Sequence, residues 1–209
     1  GLAEKINKIG MKFGLWFEPE MISPDSDLYR EHPDWAIHID EREGVQSRNQ
    51  MVLDLSRDEV CEYVINAVSD ILANANIEYV KWDMNRQLTD MPRLGYNHEY
   101  TLGYYKIMSA ITEKFPNILF EGCSAGGGRF DAGVLAYMPQ IWTSDNSDAI
   151  ARLKMQYSTS MCYPVYSISS HVTASPNHQC GRVTSLKTRA DVAYCGTFGY
   201  ELDVTKMSD

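Results

Sequence analysis

The sequence has no long apolar run and no excess of positive charge. No stretch approaches the roughly 18 apolar residues that a membrane span needs. The chain carries 28 acidic residues against 19 basic ones, a net charge of −9. Because so few cations are available to neutralise phosphates, neither nucleic acid nor a membrane surface is expected as a partner. The hydrophobic fraction of 44% and charged fraction of 22% exclude disorder and coiled coil as the main organisation.

Cysteine and histidine are also sparse and unpatterned. The five cysteines are odd in number and contain no Cys-x-x-Cys pair, which argues against a disulfide framework and a cysteine-rich zinc site. The five histidines never occur at His-x-x-x-His spacing, so no metal is expected, and no cofactor is predicted. The first residues lack the basic and apolar segments of a secretory signal. These absences favour a cytoplasmic protein.

The start of the chain has an unusual form. Its 209 residues begin without a methionine, inside a segment with helical spacing of leucine and isoleucine. We therefore expect this chain to be part of a longer protein.

Short apolar segments of β type recur along the chain, each ending in polar or charged residues. Such nearly continuous hydrophobic segments are typical of parallel strands buried on both faces. Six strands are predicted, at residues 12–18, 77–83, 117–123, 140–145, 164–171 and 197–203.

Helical periodicity lies between several of these strands, which predicts an α/β fold. One helix is predicted after Ser56, because Ser56 and Glu59 have the spacing of a capping box. Two further helices are predicted from apolar stripes, one ending near Pro116 and one following Asp145. Their stripes comprise Tyr100, Tyr104, Ile107, Met108 and Ile111 in the first and Ile150, Leu153 and Tyr157 in the second.

The carboxyl ends of the predicted strands distinguish a barrel from an open sheet. Almost every strand ends in a polar functional residue, and in a (β/α)₈ barrel these ends converge on one mouth. In an open sheet only the strands beside the switch point contribute. We therefore predict a barrel, incomplete because six strands in 209 residues fall short of the roughly 250 residues that a closed barrel needs. The polar strand-end residues are Glu18, Glu20, Asp83, Cys123, Asp145, His171 and Asp203.

Asp83 is the first candidate catalytic residue. It follows a strand in the segment YVKWDMNR, flanked by Lys81 and Arg86. Nearby positive charge favours the ionised form of a carboxylate, which suits a nucleophile or an electrostatic stabiliser. The alternative is that Asp83 only caps the following loop while Lys81 points outward.

Two aspartates compete for the role of acid. Asp148 falls in the first turn of the next helix, where the macrodipole favours negative charge, and this is a sufficient structural role. Asp145 ends a strand beside Trp142, and desolvation against an aromatic surface favours the protonated form that a general acid needs. Asp145 is therefore preferred.

Two carboxylates tuned in opposite directions are the arrangement used in glycoside hydrolysis. Trp16, Trp82 and Trp142 lie near strand ends and could offer flat apolar faces to sugar rings. For each tryptophan alone, packing is the alternative role.

Three other patterns are weaker. The glycines at 126–128 lack the Lys-Ser/Thr of a phosphate loop, so they predict close backbone approach to a sugar instead. Cys123 with a histidine base could form a thiol nucleophile, but cysteine is commonly a small buried hydrophobe.

Glu18 and Glu20 rival the aspartates for acid/base work. They lack a flanking cation, so the hypothesis for them is to shape the mouth or to orient Arg48.

These segments together resemble the catalytic barrel of the bacterial α-galactosidases of glycoside hydrolase family thirty-six. The resemblance covers essentially the whole chain, and the order of KWDMNR and CSAGGGRFD is highly specific. The matching segments are GLWFEPEMISPDSDLYREHPDW, SRNQMVLDLSR, YVKWDMNR, FEGCSAGGGRFD, WTSDNSDAI, SSHVTASPNHQ and FGYELDVTK.

The resemblance implies a retaining enzyme in which Asp83 is the nucleophile and Asp145 the acid/base. It implies small α-galactosides of the melibiose and raffinose type as substrates, and a homo-oligomer, a tetramer, in the intact protein. The residues implied to contact galactose are Trp16, Arg48, Lys81, Asn85, Cys123 and Gly126.

The resemblance also implies what lies outside this chain. Residues 1–209 correspond to the third to eighth barrel strands, whereas an aspartate pair that binds galactose, the first two strands and the flanking β domains of the family are absent. Two alternatives stay open. One is an enzyme of the same fold that transfers galactose or prefers N-acetylgalactosamine; the other is an inactive fragment with at most weak sugar binding.

Overall fold

The structure, a computed structural model, describes residues 1–207. It divides into two compact units, residues 1–120 and the residues from 121 onward. In each unit the strands of the main sheet pair in parallel and alternate with helices. The α/β class predicted from the sequence is therefore confirmed.

The first unit is built on a parallel pair of strands, β1 (Gly14–Phe17) and β4 (Tyr79–Trp82). Its register places Trp16 beside Lys81, and β4 alternates half-buried and buried side chains, as a strand does. The amide of Leu119, where β5 begins, donates to the carbonyl of Glu78 at 3.1 Å. The elements are α1 (Leu2–Lys8), β1 (Gly14–Phe17), β2 (Met21–Ile22), α2 (Asp27–Glu31), β3 (Met51–Val52), α3 (Asp58–Asn74), β4 (Tyr79–Trp82), α4 (Tyr96–Lys114) and β5 (Leu119–Gly122).

Helices α3 and α4 carry the core of this unit. The predicted apolar stripe of α4 is buried throughout and the helix ends at Lys114, as expected from its spacing and from Pro116. Gly103 brings α4 close to the chain before α3, since a Cβ there would lie 1.8 Å from the carbonyl oxygen of Leu55. The two predicted helices are thus confirmed.

The predicted capping box of α3 is wrong. The N-cap residue is Arg57 and no side chain caps the helix. Ser56 Oγ instead donates to Asp54 Oδ1 at 2.6 Å, and the Glu59 carboxylate accepts from Arg57 Nε at 2.8 Å. Two charged partners close in sequence therefore outcompete the backbone amides for these side chains.

The strands of the second unit lie in the order β5, β6 (Gln140–Trp142), β7 (Ile168–Thr173) and β8 (Thr197–Glu201). Each is parallel to the next. Close packing marks this sheet, because a Cβ on Gly199 of β8 would lie 2.7 Å from His171 of β7. The six predicted strands all exist, five of them within the predicted bounds and β7 shifted so that it ends two residues beyond the predicted residue 171. Asp148 rather than Asp145 directly precedes the third helix. The further elements are β6 (Gln140–Trp142), α5 (Ala149–Ser160), β7 (Ile168–Thr173), α6 (Leu186–Ala193) and β8 (Thr197–Glu201).

Helix α5 has an inverted arrangement of polar and apolar residues. The apolar stripe that predicts the helix, containing Leu153 and Tyr157, is exposed in this chain. The polar side chains of Arg152 and Gln156 are buried instead. Periodicity therefore identified the helix correctly, while the buried polar groups need hydrogen-bond partners. Gln156 Nε2 donates to the carbonyl of Val192 at 3.0 Å and its Oε1 accepts from the Ser170 hydroxyl at 2.7 Å. Among residues 1–207, no helix combines the length and the apolar character that a bilayer crossing requires.

Candidate active site

In the first unit, the carboxyl ends of β1 and β4 bring Glu18 and Asp83 to the same edge of the parallel pair. The amide of Asp83 donates to the carbonyl of Phe17 at 2.8 Å, which extends the strand pairing by one residue. The Asp83 side chain is buried. A buried carboxylate needs hydrogen-bond donors around it.

Donors from Trp16, Met84 and Asn85 converge on the Asp83 carboxylate. Trp16 Nε1 and Asn85 Nδ2 donate to Oδ2 at 3.1 and 2.7 Å, and the amide of Met84 donates to Oδ1 at 2.8 Å. Donors of this kind stabilise the ionised form of a carboxylate. The structure therefore fixes the orientation of the Asp83 carboxylate. The Met84 contact also agrees with the alternative view of Asp83 as a local cap.

Glu18 organises the polar groups beside Asp83. Its Oε1 accepts from the amide and from Nδ2 of Asn85 at 2.8 and 2.9 Å, and lies 3.6 Å from Arg48 Nη1. The Glu18 side chain is only 7% exposed, whereas that of Arg48 is 55% exposed. Glu18 thus orients the side chain of Asn85 and lies beside the exposed guanidinium of Arg48.

Glu20 does not share this position. Its side chain is fully buried, and it accepts hydrogen bonds from Trp82 Nε1 at 2.8 Å and from the Tyr100 hydroxyl at 2.7 Å. Because a fully buried carboxylate cannot exchange protons with a substrate, the role of Glu20 is to accept the hydrogen bonds of Trp82 and Tyr100 in the core. Trp82 is fully buried as well, so its predicted role as a sugar platform is wrong, whereas Trp16 is 51% exposed.

Arg86 has a structural role in this unit. Its guanidinium donates to the carbonyl of Gln50 at 2.8 Å and to Thr89 Oγ1 at 3.1 Å, and lies 4.0 Å from Asp90. These contacts tie the loop after β4 to the segment before β3. Lys81, by contrast, is half-buried on β4 beside Trp16.

In the second unit, Asp145 lies in the loop between β6 and α5. Its side chain is exposed, and in the described part of the chain its carboxylate accepts one hydrogen bond, from Trp142 Nε1 at 3.1 Å. Asp148 is buried and is the N-cap of α5, accepting from the amide of Ala151 at 3.1 Å and from Arg182 Nε at 3.1 Å. Asp148 therefore has the structural role that the sequence indicates, whereas the desolvation expected for Asp145 beside Trp142 is wrong, because the Asp145 side chain is exposed.

Trp142 is a buried ring with polar neighbours. It stacks on His171 with ring centroids 4.7 Å apart, and the guanidinium carbon of Arg152 lies 4.0 Å from its ring centroid. His171 Nδ1 in turn lies 3.4 Å from Glu201 Oε2. The ring that donates to Asp145 is thus itself held in place.

The glycine-rich segment after β5 packs against the Asp145 loop. Gly126 has φ +87°, and a Cβ there would lie 2.7 Å from Ser144 Cα and 3.1 Å from the amide nitrogen of Asp145. The neighbouring amide of Gly127 donates to the carbonyl of Thr143 at 3.0 Å. Because only glycine suits both the conformation and the space, Gly126 lies directly beside Asp145. Cys123, at the start of this segment, is buried.

The predicted site residues thus form one group in each unit. The first contains Trp16, Arg48, Lys81, Asp83 and Asn85, and the second contains Cys123, Gly126 and Asp145. Sequence reasoning missed Arg152 and Gln179, which hold the Asp145 loop. In the helical pattern Arg152 lies on the polar face, away from the apolar stripe, so periodicity gave no signal that could have found it.

A cation site is not evident from the side chains. In the described residues, no group of three or more His, Cys, Asp or Glu side chains could hold a metal ion.

Comparisons with known proteins agree in pointing to one family. The Melibiase family model matches residues 1–209. The chain is 56% identical to alpha-galactosidase AgaA of Geobacillus stearothermophilus, over 100% of this chain and 30% of that protein. It is 52% identical to alpha-galactosidase Mel36A of Lactobacillus acidophilus, over 99% of this chain and 29% of that protein.

Solved structures give the same result. The crystal structure of the glycoside hydrolase family 36 enzyme AgaA matches with a TM-score of 0.96 over 100% of this chain and 30% of that one. A variant of AgaA in complex with raffinose matches with a TM-score of 0.97 at 55% identity, again over 100% and 30% of the two chains. The predicted fold, part of the barrel of this family, is confirmed. The chain spans about 30% of the length of these relatives.

Proposed function

Because the chain belongs to the Melibiase family, we propose that its gene product is a retaining α-galactosidase. It releases terminal α-linked galactose from small galactosides of the melibiose and raffinose type. The names of the relatives and the raffinose bound to one of them support this substrate class.

The observation that carries the proposal is the environment of Asp83. A nucleophilic carboxylate must be ionised and aimed before substrate arrives, and the donors from Trp16, Asn85 and Met84 supply both properties. In the proposed first step, Asp83 attacks the anomeric carbon and the glycosidic bond breaks, leaving a covalent galactosyl-enzyme.

Asp145 is the proposed acid/base. It protonates the departing glycosidic oxygen in the first step and then deprotonates the water that attacks the galactosyl-enzyme, so its proton is restored in each cycle. The exposure of its carboxylate supports this role, because the group must exchange protons with a leaving group and with water.

The remaining residues of the two groups are proposed to bind galactose. Arg48 offers a rigid fork of donors to hydroxyl groups, which lysine could not copy. Trp16 offers an exposed aromatic face. Lys81, Asn85, Cys123 and the backbone at Gly126 complete the proposed set.

Azide rescue of two variants of the full-length gene product tests this assignment. Asp83→Ala should lose turnover of an aryl α-galactoside, and azide should restore it by attacking C1 directly, which gives the β-galactosyl azide. Asp145→Ala should instead form its galactosyl-enzyme from an activated aryl substrate, and azide should release it as the α-galactosyl azide.

Asp191→Asn is the matched control, because Asp191 is an exposed aspartate of α6 paired with Lys187. It should turn over the substrate like the unsubstituted protein. An α-azide from Asp83→Ala would reverse the two roles, and failure of the unsubstituted protein to cleave any α-galactoside would overturn the proposed function itself.

A further inference from the structure

Arg152 is a buried cation directly behind the Asp145 loop. It projects from the first turn of α5 and its side chain is almost completely buried. Its Nη2 donates to the carbonyl of Ser144 at 2.7 Å and its Nε to the carbonyl of Asn146 at 2.9 Å. The guanidinium therefore holds the backbone on both sides of Asp145.

The same guanidinium makes three further contacts with residues in and around the loop. Nη1 donates to Thr143 Oγ1 at 2.6 Å and lies 3.4 Å from the carbonyl of Ser169 on β7. Its carbon lies 4.0 Å from the ring centroid of Trp142, whose Nε1 donates to the Asp145 carboxylate. Arg152 thus acts on Asp145 both through the backbone and through the ring that contacts the carboxylate.

Only an arginine can make this set of contacts. Burial lowers the pKa of Arg152 to about 10, and the nearby carboxylates of Glu201, Asp145 and Glu121 oppose that fall. The side chain therefore stays charged at neutral pH. Lysine has one nitrogen instead of a planar fork and could not reach both carbonyls while lying flat on the indole.

We infer that Arg152 is a positioning residue for the acid/base Asp145, holding the loop from residue 143 to residue 146 so that the carboxyl group stays in line with the departing oxygen. This inference rests on the proposed function. Arg152 acts through the loop backbone and Trp142, and its direct charge on Asp145 is retained in Arg152→Lys, so that variant isolates the positioning contacts.

Positioning through the backbone has a physical advantage for an acid/base. Donors placed directly on the carboxylate would stabilise its ionised form and weaken it as an acid. Misplacement by about 1 Å can cost roughly 100-fold in rate, so the loop must still be rigid. A buried arginine bound to carbonyl groups supplies rigidity without adding a donor to the carboxylate.

The test compares leaving groups in Arg152→Lys, made in the full-length gene product. Departure of dinitrophenolate needs no protonation, whereas departure of a sugar or a methoxide does. For Arg152→Lys, kcat/KM should fall about 10- to 100-fold for raffinose or methyl α-galactoside. It should stay within about threefold of the unsubstituted value for 2,4-dinitrophenyl α-galactoside, since the nucleophile is untouched.

Arg189→Lys is the matched control, since Arg189 lies in the same unit and donates to the carbonyl of Thr173 instead of to the Asp145 loop. It should leave the ratio of the two kcat/KM values unchanged. Retained activity on the dinitrophenyl substrate also reports that Arg152→Lys is folded.

Two results would overturn the inference. Equal losses on both substrates would give Arg152 a general structural role, and undiminished activity on both would show that the loop holds its position without it. Either result leaves the proposed function intact, whereas no cleavage of either substrate by the unsubstituted protein would remove the proposed function instead.

Discussion

Asp83 in the first unit and Asp145 in the second are held in different ways. The Asp83 carboxylate is buried and receives its donors directly, from Trp16, the Met84 amide and Asn85. Asp145 has an exposed carboxylate with one donor, from Trp142, while its backbone is fixed by its neighbours.

The loop that carries Asp145 is held from two sides. Arg152 binds the carbonyls of Ser144 and Asn146, and Gln179 Nε2 binds the carbonyl of Asp145 itself at 2.7 Å. Gln179 Oε1 also accepts from the amide of Ser147 at 2.9 Å. Contacts to the backbone therefore position the Asp145 side chain, while the hydrogen bond described for its carboxylate comes from Trp142.

The difference follows the demands of the proposed chemistry. A nucleophile that is ionised in the resting enzyme gains from direct donors, which both orient it and keep it anionic. A group that gives and takes a proton in every cycle cannot be tied to its ionised form by several direct donors, so the backbone that carries it is fixed instead. Substitutions can separate direct donation to the Asp83 carboxylate from backbone support of the Asp145 loop.

The largest expected effect comes from the two carboxylates themselves. Asp83→Asn should lower kcat by about 10⁴-fold or more on every substrate, because no covalent intermediate can form. Asp145→Asn should cost about 10²- to 10⁴-fold on raffinose but little on the first step with a dinitrophenyl galactoside. Steady-state and single-turnover kinetics with both leaving groups check this. If both variants lost activity with the same dependence on the leaving group, the two aspartates would not have the different roles proposed for them.

A smaller loss is expected from Glu18, which acts on the Asp83 side. Glu18→Ala removes the acceptor that orients Asn85 and the partner of Arg48, and should lower kcat/KM about 10-fold regardless of leaving group. Glu18→Gln keeps an acceptor for Asn85 and should recover part of the activity. A loss confined to poor leaving groups would place Glu18 on the acid/base side instead.

Gly126→Ala should act through stability. The new Cβ would lie 2.7 Å from Ser144 Cα at a positive φ, so we expect a loss of about 1–3 kcal/mol in the free energy of unfolding. Urea denaturation measures it, with Gly181→Ala as control: Gly181 also has positive φ but no atom within 4 Å of a Cβ. Equal losses in the two variants would show that backbone strain alone, without crowding, accounts for the effect.

The smallest effect concerns the thiols of the two units. Burial raises the pKa of Cys61 to about 11, so this thiol stays protonated at pH 8 and should react slowly. Buried Cys123 should also be slow, whereas the exposed Cys162, Cys180 and Cys195 of the second unit should react quickly. Timed labelling with a thiol reagent followed by peptide mass spectrometry measures the order. Fast labelling of Cys61 in the native protein would contradict the burial of the α3–α4 core.

The sequence predicted most of the secondary structure for clear physical reasons. Buried parallel strands need nearly continuous apolar residues, and such segments predict all six strands, although β1 and β8 have no buried residue in this chain. The short pair β2 and β3 was missed because two-residue strands carry no periodic signal. Helix α6 was missed because its eight residues bury only Val192 and Ala193.

Competition between nearby polar groups was harder to foresee. Ser56 and Glu59 have the right spacing for a capping box, yet Asp54 and Arg57 attract them more strongly. Spacing describes which contacts are available, whereas the lowest free energy depends on every neighbour that the fold brings within reach.

The sequence by itself determined the order of the six main strands and three of the helices between them, the family and the choice of two candidate aspartates, because strand ends and family motifs are local properties of the chain. Only the tertiary structure decided how these aspartates are supported. Whether a helix buries its apolar stripe or its arginine, and which carbonyls that arginine binds, depends on how the chain around it folds. Trp142, Ser144 and Asn146 lie six to ten residues before Arg152, and the fold of the loop between β6 and α5, not their spacing, brings them to its guanidinium.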